Sequence, residues 1–426
     1  MDKKRVIIVV ILIVVVGILL SKFVFYDRYK MPKGAEIETF DKQIEVYDES
    51  FKIYDLLSNN NVKILTENST LDTNNIGTQK VTIEYKYKGF KKYKFDINYE
   101  VVDTTNPIFV TGLFDSKSYY VDEGSVEELE KNINKIMYAD NYDAHPKLDV
   151  TGSVDFSSVG TYPITLTLSD SSNNNVVKKI NVTIKEKPVV VKNDNEENKE
   201  EQKQDEPEEE EDNSIPFEDQ IKTYKNNGTL VGIDISKWQG EVDFKKIKDA
   251  GCEFVIMRIG VMKDKDSELV KDNTFDINYK NAKAAGLKVG IYVYSEANNV
   301  DTAVSNAEFI IDTLKGDKLD FPVGFDWESW TYFNSMEMNL HMLNEMYDAF
   351  SERLAKDGYD TMLYASQNYL NNVWMDLKDY KIWVARYSTN APEIEKTGNK
   401  FMIWQNANTG KIDGVDGDVD LDIYYK

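Results

Sequence analysis

Two acids one position apart, Asp326 and Glu328, close the apolar run Phe321-Pro322-Val323-Gly324-Phe325-Asp326-Trp327-Glu328. Such a run reads as a buried strand, and side chains alternate along a strand. The two acids therefore share a face, and Trp327 takes the other. At about 3.3 Å per residue their Cα atoms stand roughly 6.5–7 Å apart. Two carboxylates that near do not ionise independently: the first charge opposes the second, and one pKa rises. A protonated carboxyl beside a charged one is what acid-assisted cleavage of a glycosidic bond requires. A strand end with two solvated acids looks the same in isolation, so the surrounding chain has to decide.

From Leu230 onward apolar runs alternate with helical segments. The stretches 229–235, 253–260, 287–295, 321–328, 360–366, 380–386, 400–405 and 418–424 read as strands. Helical period covers 243–250, 276–285, 300–315 and 336–357, with Gly251, Gly286 and Gly358 as C-terminal stops. This alternation predicts an irregular TIM-like β/α barrel over 223–426, irregular because the last three connections are short. In such barrels chemistry sits at the C-terminal strand ends. Asp234 ends the first strand, Asp326 and Glu328 end the fourth, and Asp420 and Asp422 lie in the last. Acids distant in sequence would then meet at one mouth. Tyr292, Tyr294, Trp383 and Trp404 are candidates for stacking on sugar rings, although barrel packing accounts for any one of them equally well. Tyr294 and Trp383 are preferred because they lie toward strand C-termini. Arg258 either pairs with acids inside the barrel or meets a substrate carboxylate, and pairing is the favoured role.

A chain of 426 residues is long enough for several domains. Its net charge of -23 argues against nucleic acid as a partner, since that polyanion rewards basic surfaces. The single cysteine, Cys252, excludes an intrachain disulfide, and its apolar setting favours a buried structural thiol. The two histidines, His145 and His341, are far apart, so a histidine-based metal site or a Ser-His-Asp triad finds no support. No metal or other cofactor is expected.

The basic tip Met1–Arg5 precedes the apolar run Val6–Leu20, which continues past Ser21-Lys22 into Phe23–Tyr26. About 20 residues could span a bilayer with Lys22 snorkelling. Bulky residues follow where a signal peptide would carry a small-residue cleavage site. Residues 1–33 are therefore expected to be a cytoplasmic tip and an uncleaved signal-anchor helix, with the rest of the chain outside a bacterial membrane. Residues 34–102 and 103–187 alternate polar and apolar positions at period two, the all-β pattern. They also repeat: Asp72-Thr73-Asn74-Asn75-Ile76-Gly77-Thr78 lines up with Asp155-Phe156-Ser157-Ser158-Val159-Gly160-Thr161. Two tandem β-sandwiches are expected, in a spacer role. Asp140 and Asp143 read more readily as turn caps than as calcium ligands. Residues 188–222, with Glu208–Glu211 consecutive, form an acidic linker too polar to bury a core and expected to be disordered.

Several motifs carry a resemblance. Asp103-Thr104-Thr105-Asn106-Pro107, Asp140-Asn141-Tyr142-Asp143 and Val159-Gly160-Thr161-Tyr162 resemble the bacterial Ig-like modules of surface proteins. The segment Gly232-Ile233-Asp234-Ile235-Ser236-Lys237-Trp238-Gln239-Gly240 resembles the opening of family 25 glycoside hydrolases, the Chalaropsis-type lysozymes. Further matches are Phe254–Arg258, Ala284–Tyr292, Asp326-Trp327-Glu328, Ile382–Tyr387, Ile403-Trp404-Gln405 and Val419-Asp420-Leu421. This resemblance implies a muramidase that cuts the β-1,4 bond between N-acetylmuramic acid and N-acetylglucosamine in peptidoglycan. It implies Glu328 as general acid and Asp326 as its charged partner. Asp234 and Asp420 become further site acids, and Gln405 joins the substrate-binding set. Asp422 stands where the family commonly has Asn, and Asn406 where it commonly has an aromatic. Two rivals remain: a chitinase-like glucosaminidase, which wants acids where Phe321 and Gly324 stand, and a wall-binding or assembly protein with a weakened site.

Overall fold

The computed structural model describes residues 28–187, 214–377 and 379–426. The apolar run Val6–Leu20 and the acidic stretch 188–213 lie outside the described residues, so the anchor and most of the expected linker do too. Among the described residues no helix is long and apolar enough to cross a membrane. The chain divides into two compact units, Met1–Thr105 and Asn106–Lys426.

The first unit is built on the hairpin Gly77–Lys86 with Lys92–Val102, paired from Gly77↔Val101 to Lys86↔Lys92. Its alternation buries Ile83, Tyr85, Ile97, Tyr99 and Val101 on one face. Gln43–Glu45 runs parallel to the second arm and Lys63–Ile64 antiparallel to the first. Ile37–Thr39 and Leu57–Asn60 form a separate two-stranded sheet.

The second unit opens with the same plan. The hairpin Gly160–Ser169 with Asn175–Lys185 is flanked by Ser116–Tyr120, parallel, and Lys147–Thr151, antiparallel. Ile108–Thr111 and Met137–Ala139 make the small second sheet. The repeat in the sequence is thus a repeat of sheet topology. A helix, Val126–Ile133, is added here, with Ser125 Oγ accepting from the Glu128 N–H at 3.2 Å as its N-cap. Asp140 Oδ1 accepts from the amides of Tyr142 and Asp143, and Asp143 Oδ1 from that of His145. Both acids cap turns.

The C-terminal domain carries β1 (Thr229–Ile235), β2 (Phe254–Val261), β3 (Lys288–Ser295), β4 (Val323–Trp327), β5 (Thr361–Ser366), β6 (Ile382–Ala385), β7 (Ile403–Lys411) and β8 (Val419–Tyr425). Neighbours from β1 to β7 pair parallel. β8 pairs antiparallel with both β7 and β1 and closes the sheet on itself. The departure from an all-parallel order has a simple cause: seven residues separate β7 from β8, enough for a hairpin but not for a crossover. Helices α1 (Phe217–Tyr224), α2 (Phe244–Asp249), α3 (Phe275–Ala284), α4 (Val300–Leu314), α5 (Leu340–Ala355) and α6 (Gln367–Asn372) accompany the sheet.

Residues inside the closed sheet form one apolar cluster around Phe254, Ile256, Tyr292, Phe321, Met362, Trp383 and Ile403. The other face of the strands packs with the helices in a larger cluster that includes Phe325, Trp327, Phe350 and Trp404. Glycine is required at position 232 because a Cβ there would lie 2.5 Å from the Phe254 ring.

Two expectations change. The linker ends sooner than residue 222, because α1 buries Phe217 and Gln220; the Gln220 and Asn406 amides pair reciprocally at 2.8 and 3.1 Å. The second β module is no remote spacer either. Val110, Met137 and Ala139 belong to the same buried cluster as Trp330 and Phe333 of the C-terminal domain. The 3-10 segment Ser329–Ser335 that carries those two aromatics directly follows Glu328.

Candidate active site

At the C-terminal ends of the parallel strands a cleft of about 260 Å3 opens, lined by side chains that point inward. β1 contributes Asp234, β2 Arg258, β3 Tyr292 and Tyr294, and β4 Asp326, with Glu328 just past its end. Trp383 of β6, Gln405 of β7 and Asp420 of β8 complete the sequence-derived set in the cleft. β8 runs the opposite way, so its N-terminal end, with Asp420, reaches the same mouth. A larger hollow of about 490 Å3 lies at the other strand ends, but its acids Asp317, Asp320 and Asp360 each sit beside a lysine at the surface and Asp357 beside Arg353.

Trp404 is a correction. It faces the helices, not the cleft: its indole N–H donates to the Arg386 carbonyl at 2.8 Å and its ring meets Tyr224 of α1 edge-on. Gln405, next along the strand, takes the interior face, as alternation demands. Asp326 and Glu328 both line the cleft, while Trp327 points away and donates to the Ala297 carbonyl at 2.7 Å.

The two acids differ in setting. Asp326 lines the cleft yet is only 5% exposed. Glu328 is accessible from the cleft, although enough protein surrounds it to push its carboxyl above the ordinary value. Burial pushes Asp326 well up, and the charges of Glu328, Asp234 and Asp420 add to this; Arg258 acts in the opposite direction. One proton shared across the pair is the state these forces favour. The like-charge effect falls on the deeper Asp326, whereas the sequence alone suggested Glu328 as the seat of the proton.

The other carboxyls are held by a buried network. Gln405 Nε2 donates to Asp234 Oδ2 at 2.8 Å, while its Oε1 accepts from the hydroxyls of Tyr364 and Tyr387 at 2.9 and 3.1 Å. Trp383 Nε1 donates to Asp422 Oδ1 at 2.8 Å. Asp234 and Asp422 are in carboxyl–carboxyl contact; burial, then the charge of Asp422, pushes Asp234 well up. Burial pushes Asp422 to about 8. Asp420 also rises to about 8, from burial and from the charges of Asp234 and Glu328. Arg258 does not bond any of these acids: its Nε and a terminal nitrogen donate to Asp272 Oδ2 at 3.0 and 2.9 Å.

Residues 233–415 match the glycosyl hydrolases family 25. The matched stretch lies within the C-terminal domain. The autolytic lysozyme of Clostridium acetobutylicum is 31% identical over 45% of this chain and 55% of its own length. Lysozyme M1 of Streptomyces globisporus is 26% identical over 44% of this chain and 65% of its own. The chain therefore spans roughly half to two-thirds of the curated relatives it matches. A crystal structure of the Clostridium perfringens spore cortex lytic enzyme SleM is similar over 47% of this chain and 68% of that one, with 23% identity and a TM-score of 0.41.

Sequence reasoning passed over several residues that line the cleft: Ser236, Trp238, Gln239, Tyr364 and Tyr387. Three of them stood inside the quoted opening motif without being assigned a role. Tyr364 was findable by parity, two positions beyond the inward-facing Met362 on β5. Asp272 gave no signal, because it lies on a loop outside every strand and helix.

Proposed function

We propose that this chain is a peptidoglycan hydrolase, an N-acetylmuramidase that cleaves the β-1,4 bond between N-acetylmuramic acid and N-acetylglucosamine. The observation that carries this reading is the acid pair in the cleft: a buried Asp326 two positions from an accessible Glu328, in a domain that matches family 25. The domain's relatives named autolytic lysozyme and lysozyme M1 support the same chemistry.

In this mechanism Glu328 is the general acid, because it is the member of the pair that a bound glycan can touch. As the glycosidic oxygen gains electron density, Glu328 transfers its proton to it. With the pair's proton on Glu328, Asp326 is the anion, favoured by Arg258 nearby, and it stabilises the positive charge developing at the sugar ring until water adds there and the water's proton returns to the pair. Asp234 and Asp420 supply further electrostatic stabilisation and position the substrate. Tyr292, Tyr294 and Trp383 offer ring faces and edges to sugars, and Gln405 fixes Asp234.

The reading extends to the whole chain. The apolar run Val6–Leu20 supports a signal anchor, with the remainder of the chain facing a bacterial cell wall. The repeated sheet topology supports two Ig-like modules, and the closed, mostly parallel sheet supports an irregular TIM-like barrel.

Digestion of purified peptidoglycan with the full-length chain, read by mass spectrometry of the new reducing ends, tests the activity. Reducing muramic acid ends are expected, whereas reducing glucosamine ends would make the enzyme a glucosaminidase. Glu328→Gln is expected to lower kcat by about 10²–10⁴ without loss of fold. A fully active variant removes Glu328 from the role of acid.

A further inference from the structure

We propose that the second β module is a working part of the glycosidase: it clamps the segment that follows Glu328 and so holds that carboxyl in its reactive orientation. This rests on the reading of Glu328 as general acid.

The clamp can be followed bond by bond. Glu328 leaves β4 with φ -130 and ψ 18 and opens the 3-10 segment Ser329–Ser335. Its own carbonyl accepts from the Trp330 N–H at 2.7 Å, so the direction of its side chain is tied to the path of that segment. The far end of the segment is held from the module. Asn334 Oδ1 accepts from the Tyr138 N–H at 3.1 Å, and Asn334 Nδ2 donates toward the Ile136 carbonyl at 3.5 Å. Beyond it, Asn339 Nδ2 donates to the Tyr142 carbonyl at 2.8 Å. The Leu340 N–H, which opens α5, donates to the Asp140 carbonyl at 2.8 Å. Main-chain groups of 136–142 thus meet one short run of the C-terminal domain, 334–340, at four points.

Apolar packing reinforces these bonds. Val110, Met137 and Ala139 are buried in the same cluster as Trp330, Phe333 and Met336. Trp330 stacks on Phe333 and meets Trp327 edge-on at 4.7 Å, and Trp327 sits between the two catalytic carboxyls in sequence. A rigid aromatic path therefore runs from the module to the end of β4. Interiors packed this closely transmit small displacements instead of absorbing them. Without the module, Trp330 and Phe333 would meet water, and the segment would lose its anchor on one side. The Asx turn centred on Asp140 Oδ1 shapes the 140–143 loop for this contact. That gives the motif Asp140-Asn141-Tyr142-Asp143 a purpose in the catalytic unit.

Asn334 is accordingly a positioning residue, and the test is made on the full-length chain. Asn334→Ala removes both bonds to the module, while Asn334→Asp keeps the acceptor for the Tyr138 N–H. Ile180→Ala, deep in the module's four-stranded sheet, weakens the module without touching the clamp. For Asn334→Ala, kcat on soluble glycan fragments is expected to fall about ten- to a hundredfold with KM within twofold. The basic limb of the pH–rate profile should move to lower pH, because a loosened Glu328 gains water and its carboxyl drops toward the ordinary value. Asn334→Asp should recover part of both effects, and Ile180→Ala should lower Tm while leaving kcat and the limb in place. Unchanged kcat and limb in Asn334→Ala, or equal changes in Ile180→Ala, would overturn the proposal. A Glu328→Gln variant run alongside separates this failure from the other: if that variant is active, the assignment of the acid is what fails.

Discussion

Asp422 offers the sharpest quantitative test of the proton-sharing site. Its Oδ1 accepts from the Trp383 indole, but its buried Oδ2 finds no donor unless it or Asp234 holds a proton. Burial lifts this carboxyl from its ordinary 3.8 to about 8. At about 1.4 kcal/mol per pH unit, the lift corresponds to roughly 6 kcal/mol across that window. The sign follows from which state holds the proton. Above pH 4 the unfolded chain releases it and the folded chain keeps it, so stability is greatest below about pH 4 and declines as pH rises toward 8. Asp422→Asn keeps an oxygen for Trp383 and supplies an amide N–H for Asp234 Oδ2 or its neighbour. The decline assigned to Asp422 should then vanish, and that of Asp234 should shrink because its anion gains a donor. Even half of the 6 kcal/mol corresponds to about 6–12 °C for a domain of this size. Differential scanning calorimetry at pH 5 and pH 8 should show the gap in Tm for the C-terminal transition narrowing by at least 6 °C in the variant. A gap equal to that of the parent, or a variant equally destabilised at both pH values, would refute the idea that Asp234 and Asp422 share a proton.

Two further outcomes follow from the same geometry. Arg258→Met leaves Asp272 buried without its guanidinium, and a loss of about 3–5 kcal/mol is expected, seen as a drop in Tm of the C-terminal transition; a change of less than about 1 kcal/mol would show that the Lys237 and Thr274 amides, which also donate to Asp272, suffice. Trp238 lines the cleft yet is 77% exposed, so Trp238→Ala should raise KM for glycan fragments several-fold while Tm stays within about 1 °C.

The strand pattern of the C-terminal domain was legible because buried parallel strands demand unbroken apolar runs, and each of those runs became a strand within three residues at its start. The end of β7 was hidden. The stretch Asn406–Gly410, with little apolar character, extends it to Lys411 because Ala407 and Gly410 pair with β8 in a hairpin, a partner that composition does not reveal. Helix α1 was masked by Glu218, Asp219 and Lys222, although Phe217, Gln220, Ile221 and Tyr224 repeat at helical spacing. In the site, parity along each strand sorted inward from outward side chains wherever the strand was regular. At Trp404 and Gln405 the same parity lets only one of two adjacent residues face the cleft, and that residue is Gln405. The docking of the second module was not legible at all. Val110, Met137 and Ala139 read as ordinary core residues of a sandwich, and nothing in a one-dimensional pattern says which core they join.

The charge balance of the mouth explains why burial and the proposed catalysis agree here. Asp234, Asp326, Glu328, Asp420 and Asp422 meet within one network, and Arg258, a cation among the described lining residues, is already bound to Asp272. Five full negative charges so placed would cost far more than the fold could sustain. Retained protons are the remedy the described side chains offer, and the raised carboxyls of all five residues express it. A site in that condition has a proton to give at one carboxyl and an anion ready at its neighbour. Those are the two things a glycosidic oxygen and a developing oxocarbenium ion require. Relieving the strain with added lysines would stabilise the domain and remove the acid at the same time.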